Sequence, residues 1–211
     1  EGLTGIAFGG ASAAPQIKSM VEGILIGEDP RQVTGLWKRM IDRAFKSGHD
    51  GVINDANSAL DVALWDLKAK FNDEPLWKTL GGSNPKVHAY ASGLDYPLSD
   101  DEIEEWYGMM ASTWGFKGGK LKVGLDQDAD IRRIDRMKKG LERTTTNPLL
   151  YIDANEVWNP KMAIRKVREM EEHLDIAWVE EPARRWDFLG LRRISDQIKA
   201  PVCAGENLDT L

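Results

Sequence analysis

Leu149-Leu150-Tyr151-Ile152-Asp153 and Ile176-Ala177-Trp178-Val179-Glu180 share one design, an apolar or aromatic run that ends in a carboxylate. Each run precedes a stretch of helical period, with Ile164, Val167 and Leu174 after the first and Leu191, Ile194 and Ile198 after the second. Asn159-Pro160 suits the N-cap and first turn of the former helix. The same alternation extends outward. Strands are expected at Val87 to Ser92, Lys120 to Val123 and Val202 to Glu206. Between the first two, Ser99 and Glu102 form a capping box for a helix carrying Ile103, Trp106 and Met110, and a further helix carries Ile131, Ile134, Met137 and Leu141. Short strands alternating with helices predict an α/β fold with a parallel sheet covered by helices.

The strand ends decide between a barrel and an open sheet. Lys122, Asp153, Glu180 and Glu206 are spaced by 31, 27 and 26 residues, about one βα unit each. Charged groups at equivalent C-terminal strand ends converge on one mouth in a (β/α) barrel, whereas an open sheet spreads them along a line. No Gly-x-Gly-x-x-Gly follows a strand, which weakens a dinucleotide-binding reading.

Upstream, the pattern has another character. Residues 1–20 hold four glycines and read as a strand end followed by a loop at Gly9 to Pro15. A helix is expected over about 31–45, closed by Ser47-Gly48-His49-Asp50-Gly51. A second helix is expected over 56–71, with Asn57 or Ser58 as cap and Leu60, Ala63, Leu64, Leu67 and Phe71 on one apolar face. Gly81-Gly82 closes this part, giving domains at 1–85 and 86–211.

Composition bounds the partners. The 211 residues carry 42% hydrophobic and 29% charged residues, which excludes a disordered or collagen-like chain. A net charge of −6 offers no footprint for nucleic acid or an anionic membrane, and no apolar run suggests a membrane span. The single cysteine, Cys203, excludes an internal disulfide and fits a reducing, cytoplasmic location.

Lys120-Leu121-Lys122 places two ammonium groups on one strand face and Leu121 toward the helices. Two adjacent lysines repel, so the pKa of at least one is expected to fall, making a neutral amine available as a base. A pair of solvent-facing lysines is the bland reading of the dipeptide alone. Asp153, Glu180 and Glu206 at the same mouth argue against it. Three carboxylates repel unless a cation sits among them, and an all-oxygen donor set suits a hard divalent ion such as Mg²⁺. Metal beside lysine suits removal of the proton α to a carboxylate. Elsewhere, His88 reads as structural, His173 as solvated, and Cys203 as a buried strand residue.

These residues resemble the mandelate racemase/muconate lactonizing enzyme branch of the enolase superfamily. The resemblance runs through Gly27-Glu28-Asp29-Pro30, Ser58 to Leu67, Leu80-Gly81-Gly82, Lys120-Leu121-Lys122, Asp153-Ala154-Asn155, Trp178 to Pro182 and Gly205-Glu206-Asn207. It implies a TIM-type barrel, strands one to five being present, behind a partial α+β N-terminal capping domain. It further implies Lys122 as catalytic base, Lys120 assisting it or contacting the substrate carboxylate, and Asp153, Glu180 and Glu206 as Mg²⁺ ligands. Asn155 would contact metal-bound water or substrate, Glu181 would support the ligands from behind, Asn207 would contribute around the substrate, and His49, in a capping loop, reads either as a polar surface residue or as a substrate contact. Capping loops near 9–16 and 48–55 would close over the mouth.

A full barrel needs about 250 residues, so an incomplete chain is expected, lacking the strands that bring a second acid or base. The expected activity is dehydration of a sugar acid, an aldonate or aldarate, by a homo-oligomeric enzyme. Racemisation, epimerisation or cycloisomerisation of a carboxylate is the alternative, and a non-catalytic scaffold with the same fold is another.

Overall fold

The computed structural model describes residues 2–48, 50–93 and 95–208, which form two compact units, one up to Lys86 and one from Val87 to Leu208. The first unit is helical. A turn of 3₁₀ helix at Ala11–Ala13 leads into α1 (Ala14–Met20), which widens into a π-helical turn at Val21–Leu25. Then come α2 (Val33–Ala44), α3 (Val52–Phe71) and the short α4 (Leu76–Thr79). The loop expected around Gly9 to Pro15 is thus helical from Ala11 on, with Pro15 in the first turn, where its missing N–H costs nothing. Residues 2–10 have no strand partner among the described residues. Ile6 N–H donates to Asp66 and Lys70 to the Thr4 carbonyl, and Gly5 lies directly on the α3 main chain at Ala63. A side chain at Gly5 would occupy the Ala63 carbonyl.

Helix α3 starts before the expected cap. Gly51 stands at its N-cap with φ +62, leaving Asn57, Ser58 and Asp61 inside the helix. Asn57 is buried with neither amide atom hydrogen-bonded. Leu60 and Leu64 enter the core with Met20, Val33, Leu36 and Met40, whereas Phe71, on the expected apolar face, is exposed and carries the Arg31 guanidinium over its ring.

The second unit is a five-stranded, wholly parallel sheet in the order β1 (Ala91–Ser92), β2 (Gly118–Lys122), β3 (Leu149–Asp153), β4 (Ile176–Glu180), β5 (Val202–Cys203). One helix joins each successive pair: α5 (Asp100–Trp114), α6 (Gln127–Leu141), α7 (Pro160–Met170) and α8 (Phe188–Ser195). Strand order equals chain order, so every crossover advances the same way and all helices fall on one face. A doubly wound sheet reverses direction at a switch point; a barrel wall does not. The unit is part of a (β/α) barrel.

Local signals set the elements. The Ser99–Glu102 capping box is complete, Asn159 caps α7 with Pro160 at its first position, and Asp126 and Asp187 cap α6 and α8. Leu121, Val123, Ile152 and Val179 face the helices and pack on Ile103, Tyr107, Ile134, Met137, Val167 and Ile194. Packing is close enough to require glycine. A Cβ on Gly119 would meet the Tyr107 ring at 2.6 Å and Met137 at 2.9 Å. Where α5 crosses α6, a Cβ on Gly140 would meet the Glu104 carbonyl at 2.5 Å.

Two outer strands are shorter than their apolar runs suggest. β1 holds only Ala91 and Ser92, and β5 ends at Cys203, so Glu206 lies in the turn after its strand.

Candidate metal and acid–base site

Strand period fixes what lines the barrel interior. Lys120, Tyr151 and Trp178 stand in one register row, Lys122, Asp153 and Glu180 in the next toward the C-terminal ends. The first row joins Tyr90 in an aromatic layer, with Tyr151 and Trp178 ring centroids 4.1 Å apart and Tyr90 5.0 Å from Tyr151. The second row is charged and stands next to that aromatic layer, into which Lys120 also reaches.

Asp153 is fully buried and Glu180 nearly so, while Glu206 is exposed. One carboxylate oxygen from each lies within 4.8 Å of the others. The three therefore converge as strand-end spacing predicts, although Glu206 arrives from a turn. The lysines pair with them. Lys122 Nζ lies 2.5 Å from Asp153 Oδ2, and Lys120 Nζ lies 2.7 Å from Glu180 Oε2 and 3.4 Å from Asp153 Oδ2.

At Lys120 the structure gives the opposite of a falling lysine pKa. At Lys120, burial disfavours the ammonium, but the hydrogen bond to Glu180 and the charges of Glu180 and Asp153 outweigh it, and the pKa lies above its ordinary value.

The remaining expected residues separate. β3 stops at Asp153, and Asn155 has φ +43, so strand alternation does not carry to its side chain. Its N–H donates to Asp153 Oδ1, fixing that carboxylate's orientation. Glu181, also at φ +43, is buried and accepts two hydrogen bonds from the Asn207 amide, tying the turn that holds Glu206 to the end of β4. Asn207 thus spends its amide on Glu181. His49 lies outside the described residues. His88 and His173 are exposed. Cys203 is half-buried rather than buried, its thiol pushed up by burial and by the nearby Glu180 carboxylate.

Two groups of residues carry no clear signal in the sequence. Glu156, buried at φ +60, takes Arg185 through both carboxylate oxygens, and Arg185 donates to the Asn207 carbonyl. Only a carboxylate three residues past Asp153 and an Arg pair past Pro182 hint at them. Behind β2, Asp95, Arg133, Asp130 and Tyr107 are all buried. Asp130 and Arg133, three apart on α6, look like surface helix charges until the tertiary fold buries them. Burial raises the Asp95 and Asp130 carboxyls despite Arg133, and raises the Tyr107 phenol far above its ordinary value, keeping its O–H a donor.

With this geometry in place, comparison with known proteins is decisive. Residues 102–211 match the family "Enolase C-terminal domain-like", and residues 1–81 match "Mandelate racemase / muconate lactonizing enzyme, N-terminal domain". The chain belongs to the mandelate racemase/muconate lactonizing enzyme family of the enolase superfamily. Within that family it is similar to a 3,6-anhydro-alpha-L-galactonate cycloisomerase of Streptomyces coelicolor, with 34% identity over 100% of this chain and 59% of the relative. It is 31% identical to an L-talarate/galactarate dehydratase of Salmonella typhimurium, over 99% of this chain and 53% of that enzyme. Among solved structures it resembles a Streptomyces coelicolor racemase with bound magnesium, with a TM-score of 0.88 and 34% identity over 98% of this chain and 63% of that one. The chain thus spans a little over half the length of these curated relatives.

Family membership corroborates the barrel, and the strand register puts the carboxylate row at the C-terminal ends of its strands. Among the described residues, no helix is long and apolar enough to cross a membrane.

Proposed function

We propose that the chain carries the metal-binding and proton-abstracting half of an Mg²⁺-dependent enzyme acting on the carbon α to a carboxylate, with dehydration of a sugar acid as its reaction. The observation that carries the proposal is the row Lys122–Asp153–Glu180, with Glu206 converging on it.

The donor set fits a hard divalent cation: three carboxylates on successive βα units, two of them buried, and neither imidazole nor thiolate among them. Asp153, Glu180 and Glu206 would hold Mg²⁺, which supplies electrophilic stabilisation of the charge that builds on the substrate carboxylate.

The chain's own residues do the rest. Lys122 Nζ takes the α-proton as its amine, and Lys120, one strand step below, balances substrate charge beside it. Asn155 holds Asp153 through its main-chain N–H, and in this reading its side chain would serve water or substrate. Glu181 and Asn207 lock the turn bearing Glu206. Loss of the β-hydroxyl as water after Cα–H cleavage leaves an enol that becomes the 2-keto acid. Residues to about 85, His49 among them, form the capping domain in this reading. The single free cysteine supports a reducing, cytoplasmic setting, and a multimeric assembly belongs to the same proposal.

Proton NMR in D₂O, with Mg²⁺ and a panel of aldonic and aldaric acids, tests it on the full-length protein. Loss of the α-proton signal with appearance of a 2-keto product is the expected result. Deuterium uptake with inverted configuration and no keto product would make the enzyme an epimerase or racemase. The 34% identity to a cycloisomerase favours adding an anhydro sugar acid to the panel. Absence of exchange on every acid would sink the catalytic reading.

A further inference from the structure

In a β-strand, the N–H and C=O of one residue point to the same side. At Leu121 and Val123 they point toward β3, where Val123 N–H donates to the Asp153 carbonyl at 2.9 Å. At Lys120 and Lys122 they point toward β1. Yet among the described residues the last pair of the β1–β2 ladder is Ser92 with Lys120. Unpaired main-chain groups at this depth carry a large desolvation cost.

Side chains take the place of the missing strand. Lys122 N–H donates to the Asp95 carboxylate, at 3.2 Å to Oδ1. The Lys122 carbonyl accepts from Arg133 Nη1 at 2.9 Å. The Lys120 carbonyl accepts from the Tyr107 hydroxyl, which also lies 3.3 Å from Asp95 Oδ2. Arg133 Nη2 donates to the Asp95 carbonyl at 2.9 Å and closes the set, while Asp130 takes Gly124 N–H at 2.8 Å and Tyr96 O–H donates to the Val123 carbonyl at 2.9 Å. Gly119 leaves room for Tyr107 to lie against the strand.

We infer that Asp95, Arg133 and Tyr107 are positioning residues that fix the main chain of Lys120 and Lys122 and so aim both ammonium groups. Strand pairing holds a backbone with little regard to side-chain identity. A side-chain clasp, by contrast, makes the pose of Lys122 depend on three particular groups from the loop after β1, α5 and α6. Among the described residues their hydrogen bonds go to the Lys120 and Lys122 main chain and to one another, so their hold on the lysines runs through the backbone. A displacement near 1 Å at a reacting group is enough to cost about 100-fold in rate.

This inference rests on Lys122 being the base, and the test separates the two. Tyr107→Phe removes one hydroxyl and keeps the ring; Arg133→Lys keeps the charge and loses the fork. In the full chain, both variants are expected to lower kcat for α-proton exchange about 10- to 100-fold with KM and Mg²⁺ affinity within about twofold of wild type. Amide hydrogen exchange supplies a readout independent of activity. The Lys122 N–H should lose protection in Arg133→Lys and Asp95→Ala while core amides such as Ile152 keep theirs. An active wild type whose variants keep full kcat would overturn the positioning role alone. A protected Lys122 amide in Asp95→Ala would overturn the clasp itself. A wild type without exchange on any acid would overturn the base assignment and this inference with it.

Discussion

Lys122 and Asp153 are register partners across β2 and β3, and their side chains meet at 2.5 Å on the interior face. One carboxylate therefore serves two lysines, since Asp153 Oδ2 also lies 3.4 Å from Lys120 Nζ. In the proposed reading, Lys122 would change partners when a cation takes Asp153. Lys122→Ala is expected to lower α-proton exchange at that face by about 10²- to 10⁴-fold, the usual worth of a positioned base. Mg²⁺ affinity should persist or rise, because a competing ammonium is gone. Isothermal titration alongside NMR exchange in D₂O checks both halves.

Cation binding should also stabilise the fold. Among the described residues, Lys120 and Lys122 are the cations paired with the buried carboxylates, and Glu206 stands exposed beside them. Mg²⁺ at about 100 times its dissociation constant should add about 2.7 kcal/mol, read as a rise in Tm that a chelator reverses. In Glu180→Gln, the rise should shrink or vanish, with a lower starting Tm because Lys120 loses its 2.7 Å partner. A Glu180→Gln variant with an undiminished Mg²⁺ response would exclude Glu180 as a ligand.

The strand-end charges were legible because period two and one βα unit per carboxylate are both written in the chain, and Lys122, Asp153 and Glu180 stand where those rules put them. The capping box at Ser99 and the caps at Asn159 and Pro160 were legible for the same local reason. What escaped was tertiary. Whether β1 would run to Ser92 or beyond depends on Asp95 and Arg133 replacing the ladder, which apolar content alone does not encode. The partners of the lysine pair are carboxylates 31 and 60 residues away, which the Lys-Leu-Lys tripeptide does not encode. The start of α3 was misplaced because Gly51, at φ +62, caps a helix that the Asn57-Ser58 pair only continues.

Acid should weaken the second unit through Glu156. Its hydrogen bond to Arg185 outweighs the burial cost and holds its carboxyl below the ordinary 4.5. A depressed folded-state pKa means the unfolded chain binds the proton more readily. The stabilisation is then complete above about pH 4.5 and is lost as pH falls through the lower folded value. Glu156→Gln should therefore lower Tm clearly near neutral pH and progressively less as the solution is acidified toward about pH 3. Thermal melts of both proteins across that range check it, and a Tm difference constant with pH would show that the Glu156–Arg185 pair carries no charge linkage.

The crossing of α5 over α6 gives the sharpest stability prediction. An alanine at Gly140 would ordinarily favour its helix by about 1 kcal/mol. Here the added methyl would stand 2.5 Å from the Glu104 carbonyl, 2.8 Å from the Gly108 nitrogen and 3.1 Å from Tyr107 Cβ. Two of those neighbours are main chain and cannot swing aside, so the helices must separate. Overpacking of this kind costs about 1–3 kcal/mol and more where backbone must shift, which exceeds the propensity gain. Gly140→Ala should lower the urea midpoint at unchanged m-value. Because Tyr107 reaches the Lys120 carbonyl from the same crossing, the variant should also lower kcat for α-proton exchange more than KM changes. An unchanged or raised midpoint would mean the crossing tolerates a methyl and is looser than these distances imply.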